Sequence, residues 1–400
     1  MKRPYFPGKS WFLAALAMGA LSASAWRADA APYIQTDLVS DIPIPGVATI
    51  VDPTLVNPWG ISHSSGSPFW ISNQGTNTTN LWTVTGQTNV TKVTAVNPPT
   101  GNIAIPTTAS GPQGPTGQVN NGNMSSFLVG NGGDNKFAHF IFANLNGTIS
   151  AWDTGPTAFI QPSATTPGAV FTGLAINTAQ TMLYAANDAG GGSVKVFDSS
   201  FAPVNLGANA FKDPAVGALV PFNVQDINGK VYVAYAPATN GGDRTPQTHA
   251  PLGAGAVAIF DESGTLLQTL INGSQLAAPW GIALAPAGFG PFGGDLLVGN
   301  FSYDHSEINA FDPTSGALLG TIPVNDGGIG AGGLWALNFG IGGNNGDPNT
   351  LYITDGIGGE NHGLFAAFTV AAAPEPSGLA LLATAFALFG VCCARWRPQI

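Results

Sequence analysis

The chain has 400 residues, only 8% of them charged, and 22 acidic against 12 basic side chains give a formal net charge of -10. Between positions 31 and 376 the basic residues are Lys92, Lys136, Lys195, Lys212, Lys230 and Arg244. They are scattered, which excludes nucleic acid as a partner, because a polyanion is held by clustered Lys and Arg that release its counterions. Cys392 and Cys393 are the two cysteines and are adjacent, so no disulfide framework staples the domain, and a chain of this size relies on its apolar core.

The N-terminus carries Lys2, Arg3 and Lys9, then an apolar run over residues 11–22. Ala23-Ser24-Ala25 and Ala28-Asp29-Ala30 follow as two small-x-small cleavage options. This pattern predicts a signal peptide over residues 1–30. Beyond it, Gly, Pro, Asn and Thr abound and long amphipathic helical patterns are absent. Short β-branched or aromatic segments bounded by turn formers recur instead, such as Phe69-Trp70-Ile71-Ser72, Leu183-Tyr184, Val231-Tyr232-Val233, Leu296-Leu297-Val298 and Leu351-Tyr352-Ile353. These predict an all-β domain over residues 31–370.

The strands repeat. Asn57-Pro58-Trp59-Gly60, Pro115-Thr116-Gly117, Phe171-Thr172-Gly173, Pro221-Phe222-Asn223, Pro279-Trp280-Gly281 and Gly332-Gly333-Leu334-Trp335 each open a unit. With Gly60, Gly117, Gly173, Asn223, Gly281 and Gly333 as markers, the spacings are about 57, 56, 50, 58 and 52 residues, near the long end of propeller periods. A second strand ending in Asn or Asp follows each marker in most units, then a third that often ends in an aromatic residue and Asp, and in places a weaker fourth. Four-stranded units repeated radially make a six-bladed β-propeller. The sixth unit lacks a fourth strand, and the alternating segment Tyr33-Ile34-Gln35-Thr36-Asp37-Leu38-Val39 is expected to complete it from outside, leaving no open edge. Residues 97–113 and 240–251 read as irregular insertions. Glycine after Trp suits first strands that approach closely at the axis, and Trp59, Trp280 and Trp335 are expected in the core.

No nucleophile motif is present, and His63, His139, His249, His305 and His362 show no metal-ligand spacing. The strand-end set Asn73, Asn144, Asn187, Asp188, Asn300 and Asp355 is the candidate metal site: converging on one face, these oxygens would suit Ca²⁺. The competing reading has each one capping a hairpin turn of its own blade.

The chain ends with Pro374-Glu375-Pro376, an apolar run over residues 378–394 and then Arg395-Trp396-Arg397. The basic end is expected to stay cytoplasmic, with the run as a transmembrane helix and the domain outside the cytoplasm. The three parts, with Pro374, Glu375, Pro376, Arg395 and Arg397 as the sorting residues, resemble the PEP-CTERM tail of exported bacterial proteins. The resemblance implies handling by an exosortase, an inner-membrane anchor before processing, and a cell-surface or extracellular fate. Leu55-Val56-Asn57-Pro58-Trp59-Gly60, Asn146-Gly147-Thr148-Ile149-Ser150-Ala151-Trp152, Leu276-Ala277-Ala278-Pro279-Trp280-Gly281 and Gly333-Leu334-Trp335-Ala336-Leu337 together resemble the PEP-CTERM-associated family of exported proteins of unknown function. That family implies an envelope or matrix protein of biofilm-forming bacteria. A fold-level likeness to NHL-type and lactonase-type propellers adds little about activity. Two functions are therefore expected: a non-enzymatic module that binds exopolysaccharide or protein and needs no cofactor, or a Ca²⁺-dependent lactonase- or esterase-like hydrolase using the central channel.

Overall fold

The computed structural model describes residues 33–43, 48–106, 112–130, 136–239 and 243–371. The signal peptide expected over residues 1–30, the expected sorting residues Pro374, Glu375, Pro376, Arg395 and Arg397, and the expected transmembrane run over residues 378–394 lie outside them. Among the described residues no helix is long and apolar enough to cross a membrane.

Six sheets are laid out in chain order. The chain opens with β1 (Tyr33–Ser40) and β2 (Ile50–Val51). Blade 1 then comprises β3 (Pro58–Ser62), β4 (Phe69–Asn73), β5 (Thr78–Thr85) and β6 (Asn89–Lys92), with β7 (Asn102–Ala104) beside β5. Blade 2 comprises β8 (Pro115–Asn120), β9 (Phe140–Asn144), β10 (Ile149–Trp152) and β11 (Phe159–Ile160). Blade 3 comprises β12 (Phe171–Ile176), β13 (Met182–Asn187), β14 (Ser193–Asp198) and β15 (Pro203–Val204). Blade 4 comprises β16 (Val220–Ile227), β17 (Lys230–Ala236), β18 (Ala256–Phe260) and β19 (Leu266–Asn272), with α1 (Thr245–Thr248) between its second and third strands. Blade 5 comprises β20 (Pro279–Leu284), β21 (Leu296–Asn300), β22 (Glu307–Phe311) and β23 (Leu318–Pro323). Blade 6 comprises β24 (Leu334–Phe339), β25 (Leu351–Asp355) and β26 (Leu364–Val370).

The first strands β3, β8, β12, β16, β20 and β24 neighbour one another in turn, and β24 returns to β3, so the ring is closed. The chain is an all-β six-bladed β-propeller. Blade 6 takes its outer strand from the N-terminal segment: β1 pairs antiparallel with β26 from Tyr33 against Val370 to Ser40 against Leu364, and β2 adds in parallel outside it. Tyr33 fastens this strand to blade 5. Its ring stacks on Phe289 at 4.6 Å, and its hydroxyl donates to the Phe289 carbonyl at 2.7 Å.

Each first strand carries a register shift at its marker, for example between Pro58 and Ile61, Pro115 and Gln118, and Pro279 and Ile282. These bulges turn the strand toward the axis, and glycine is required there by crowding. A Cβ on Gly60 would lie 2.6 Å from the Thr116 carbonyl oxygen, one on Gly281 would lie 2.5 Å from that of Trp335, and one on Gly117 would strike the Leu174 backbone nitrogen. The sixth marker needs correcting. In β24 the shift falls between Leu334 and Leu337, so Trp335-Ala336 matches Trp59-Gly60 and Trp280-Gly281. Gly333 precedes the strand and is glycine for a different reason, its φ of +108°.

Between blades the sheets pack through aromatic side chains. Trp70 of β4 stacks on Phe140 of β9 at 3.9 Å, a contact whose burial contributes roughly 2–3 kcal/mol per ring. The Asp residues after the third strands brace the next turn. Asp198, Asp261 and Asp312 each accept from backbone amides two to four residues on, the Asx-turn geometry. The insertion over residues 97–113 is not irregular throughout. Its segment β7 returns to pair with Thr78–Asn80 of β5, because β6 covers only the other half of that strand.

Candidate functional site

The two ends of the axis differ in construction. Where the first strands begin, Trp59 and Trp335 stack with centroids 3.5 Å apart, and Trp280 meets both edge-on at 6.1 and 5.5 Å. Phe222 and Phe301 complete this buried plug. Two indole nitrogens are tied across blades: Trp335 Nε1 donates to Asn57 Oδ1 at 2.9 Å, and Trp280 Nε1 donates to the Thr172 carbonyl at 2.8 Å.

The segment leading into α1 lies over the plug. The Arg244 guanidinium sits 5.8 Å from the Trp59 ring and 5.1 Å from the Phe301 ring, within cation–π range. It also pairs with Glu360 at 2.7 Å. Glu360 accepts further from the Tyr303 hydroxyl at 2.7 Å and from Asn57 Nδ2 at 3.1 Å. Burial, and then the Glu360 carboxylate, push the Tyr303 hydroxyl far up, so it stays protonated as a donor. This end is closed by packed rings and an ionic cap, with Arg244 Nη2 and Trp59 Nε1 buried without a partner.

The strand-end residues singled out from the sequence sit at the same end, one strand out from the axis. Asn73, Asn144, Asn187, Asn300 and Asp355 oppose the first residues of β3, β8, β12, β20 and β24. Asn187 Oδ1 accepts from the Val170 amide at 2.9 Å, and Asn300 Oδ1 accepts from the Ala277 amide at 3.0 Å. Both bonds anchor the chain as it enters the first strand of that blade. Asn73 donates to Thr78 and Asn144 to Thr148 and Ser150. Asp188 accepts from Gln247 of the insertion at 3.2 Å. Asp355 stands apart: it is fully buried and neither carboxylate oxygen has a partner. Burial, and then the charges of Asp326, Asp37 and Glu360, push its pKa up to about 7. Among the described residues no group of three or more His, Cys, Asp or Glu is arranged to hold a metal ion.

Where the first strands end, the axis opens into a cavity of 270 Å³. Its wall is built from amides and small polar groups: Gln118, Asn120, Asn223, Gln225, Asn338 and Ser62, together with His63 and Asp226. No Lys or Arg contributes. Several donors are already committed to bridging blades. Gln118 Nε2 donates to the Gly60 carbonyl at 2.7 Å, Asn223 Nδ2 to that of Trp280 at 2.8 Å, and Asn338 Nδ2 to that of Ile61 at 3.3 Å. His63 Nε2 lies 3.2 Å from Asn338 Oδ1.

Several acceptors are left over. Gln118 Oε1, Ser62 Oγ and Asp226 Oδ2 are buried without a hydrogen-bond partner. Asp226 Oδ1 accepts from Thr178 and from the Gly229 amide at 3.2 Å each, while burial raises the carboxyl above its ordinary range. Buried unpaired acceptors are costly, so the cavity favours a guest that brings donors.

The sequence reading looked to the ends of the second strands. The cavity is lined instead from the ends of the first. A signal was present: Gln118 and Asn338 follow the inner-strand markers by one and two residues, and Asn223 itself stands at a marker. His63 lies three residues past Gly60.

No family model matches the chain. Uncharacterized protein R648 of Acanthamoeba polyphaga mimivirus is 31% identical over 278 residues, spanning 66% of this chain and 64% of that protein. Uncharacterized protein R640 of the same virus is 25% identical over 210 residues, spanning 50% of this chain and 37% of that protein. The chain thus matches less than two thirds of the length of either relative. Among solved structures, a structural-genomics protein of unknown function from Bacteroides thetaiotaomicron aligns over 85% of this chain and 76% of its own, with a TM-score of 0.50 at 11% identity. That likeness concerns the fold alone.

Proposed function

We propose that the propeller is a non-enzymatic binding module and that its open axial cavity takes one residue of a neutral, hydroxyl-rich ligand such as a polysaccharide. The observation that carries this reading is the set of buried acceptors without donors, Gln118 Oε1, Ser62 Oγ and Asp226 Oδ2, contributed to the cavity by blades 2, 1 and 4. Sugar hydroxyls supply donors at close spacing. The neighbouring side-chain amides can both donate and accept, so they match a hydroxyl in either role. A wall without Lys or Arg offers nothing to an anionic guest.

The volume of 270 Å³ lies just below the usual range of small-molecule pockets, roughly 300–1,000 Å³. It suits a single sugar ring rather than a chain segment. Asp226 is the lone carboxylate on the wall, whereas glycoside hydrolysis ordinarily needs a pair, and this supports binding over turnover. The sequence at the two ends supports a setting: export through the N-terminal signal, retention by the C-terminal helix, and handling by an exosortase at Pro374-Glu375-Pro376. Exopolysaccharide outside the cytoplasm is then the natural source of the ligand.

The test is titration of the purified domain with glucose, galactose, mannose and N-acetylglucosamine, followed by NMR. Saturable binding with Kd on the order of 1 mM, and shifts centred on His63, Gln118 and Asn223, is the expected result. Four sugars without saturable binding, or shifts confined to the outer blade surfaces, would overturn it.

A further inference from the structure

Five of the six blades leave no gap along their third strand. In blade 1, β6 covers Trp82–Thr85 of β5 and β7 covers Thr78–Asn80. In blade 2, β11 covers Ser150 and Ala151, and the Gln161 amide donates to the Ile149 carbonyl. In blades 4, 5 and 6 the outer strand accompanies the third strand along its whole length. Blade 3 differs. There β15 pairs with β14 only at Val196 and Phe197, and the chain then departs. Ser193, Val194 and Lys195 have a strand neighbour on the β13 side alone. Among the described residues this is the one third strand with half its outer edge bare.

A groove of 580 Å³ includes this bare edge in its lining, together with Thr166, Val204, Leu206 and Gly207. Among the described residues its wall contains two lysines, Lys195 and Lys212, and no carboxylate. Among the described residues neither lysine is in an ion pair. The contrast with the rest of the chain is sharp, because the molecule has a formal charge of -10 and places six basic residues in the whole span from 31 to 376.

We infer that blade 3 is a docking edge for an extended acidic polypeptide segment, which would add as a strand beside Ser193, Val194 and Lys195. The backbone supplies the ladder, as in β-augmentation. The lysines choose the partner. Lys at a bare edge deters neutral apolar strands, which would have to bury its charge, whereas an acidic side chain next to it gains an ion pair. An anionic polysaccharide could meet the lysines but not the ladder of alternating N–H and C=O groups. This inference is independent of the axial cavity on the far side of two strands.

The probe is fluorescein-labelled acetyl-Glu-Val-Glu-Val-Glu-Val-amide, titrated with the purified propeller in low salt and followed by polarisation. Saturable binding is expected, weakened about tenfold or more by the double substitution Lys195→Glu with Lys212→Glu. Lys212 is exposed and Lys195 half-buried, and circular dichroism of the variant checks that the fold is kept. The decisive arm leaves the protein untouched. Probes N-methylated on alternate residues in the two possible registers should split, one binding as before and the other losing binding. Equal binding of both methylated probes, equal binding of the Lys-Val counterpart, or indifference to charge reversal would each overturn the inference. So would alginate binding to this edge in the absence of any peptide binding.

Discussion

The two ends of the propeller axis are made from the same six strands and have opposite characters. At the end where the strands begin, rings fill the space and some polar atoms are tied across blades, Trp335 to Asn57, Trp280 to Thr172 and Arg244 to Glu360, while Trp59 Nε1, Arg244 Nη2 and both Asp355 oxygens are buried without a partner. At the end where they finish, amide donors stitch neighbouring blades while acceptors remain unmet. The first arrangement maximises buried apolar contact, and that contact offsets the cost of its unpartnered polar atoms. The second gives up part of that stability to keep a polar space. Stability should therefore respond to changes at the closed end, and recognition to changes at the open end.

The largest effect is expected at the plug. Trp335→Ala removes a ring stacked on Trp59 and packed against Trp280, Phe222 and Phe301, and it orphans Asn57 Oδ1. Large-to-small changes of this kind cost about 3–5 kcal/mol. Urea unfolding should show a lowered midpoint of that size, and a loss under about 1 kcal/mol would mean that the plug is not the keystone of the ring.

Asp355 comes next, through pH. Its pKa rises from the ordinary carboxylate value to about 7 in the folded protein. The folded state therefore binds a proton more tightly than the unfolded one. Stability contributed by this group is greatest at low pH, falls as pH rises from about 4 to about 7, and is level above that. The fall is on the order of 4 kcal/mol. Asp355→Asn should flatten this slope and raise stability at pH 8. A wild-type profile without decline between pH 4 and 7, once other carboxylates are matched in the variant, would contradict this assignment. Calcium added during the same unfolding series tests the remaining option for this carboxylate, because a bound cation would hold it ionised and oppose the decline.

The markers along the first strands provide a sharper contrast. Gly117→Ala places a methyl against the Leu174 and Gly173 backbone of the next blade, which cannot give way as a flexible side chain could. Overpacking at such a site costs about 1–3 kcal/mol or more. Gly66→Ala meets nothing within 4 Å and should leave thermal stability within about 0.5 kcal/mol. If the two variants melt alike, the glycine repeat is not there to let blades approach.

These residues also show why some of the molecule was legible in its sequence. The repeat of Trp-Gly and Thr-Gly pairs records a steric demand that blades 1, 2, 3 and 5 each meet separately, so it recurs in the sequence at those turns of the ring, while Asn223 and Ala336 stand at the equivalent places in blades 4 and 6. The clasp of β1 on β26 was visible because a strand was missing at one end of the chain and spare at the other. The axial cavity was harder to see. Gln118, Asn223 and Asn338 come from blades 2, 4 and 6, each differs from its counterparts in the other blades, and only closure of the ring brings them together. Strand β7 was hidden for a similar reason: Asn102-Ile103-Ala104 has no periodicity of its own and forms because β5 offers it a free edge. Gly333 misled as a marker because turn glycines and axis glycines look identical in sequence and differ only in φ and in what surrounds them.

The smallest expected stability effects separate the two ends most cleanly. Arg244→Ala removes the ionic cap, but about a third of that side chain is exposed and Glu360 keeps donors from Tyr303 and Asn57. The cost should be about 1–2 kcal/mol, well short of breaking a fully buried pair, with sugar binding at the opposite end unchanged. Asp226→Asn is the converse. The oxygen that accepts from Thr178 and Gly229 is retained, so stability should move by less than about 0.5 kcal/mol. The unmet Oδ2 of the wall, however, becomes an amide donor, and an acceptor intended for a hydroxyl is lost. Sugar affinity should fall about threefold to tenfold, the loss of one hydrogen bond of about 1 kcal/mol. If Arg244→Ala weakened sugar binding as much as Asp226→Asn does, the two ends would be coupled along the axis, and their separation into a structural and a recognition end would fail.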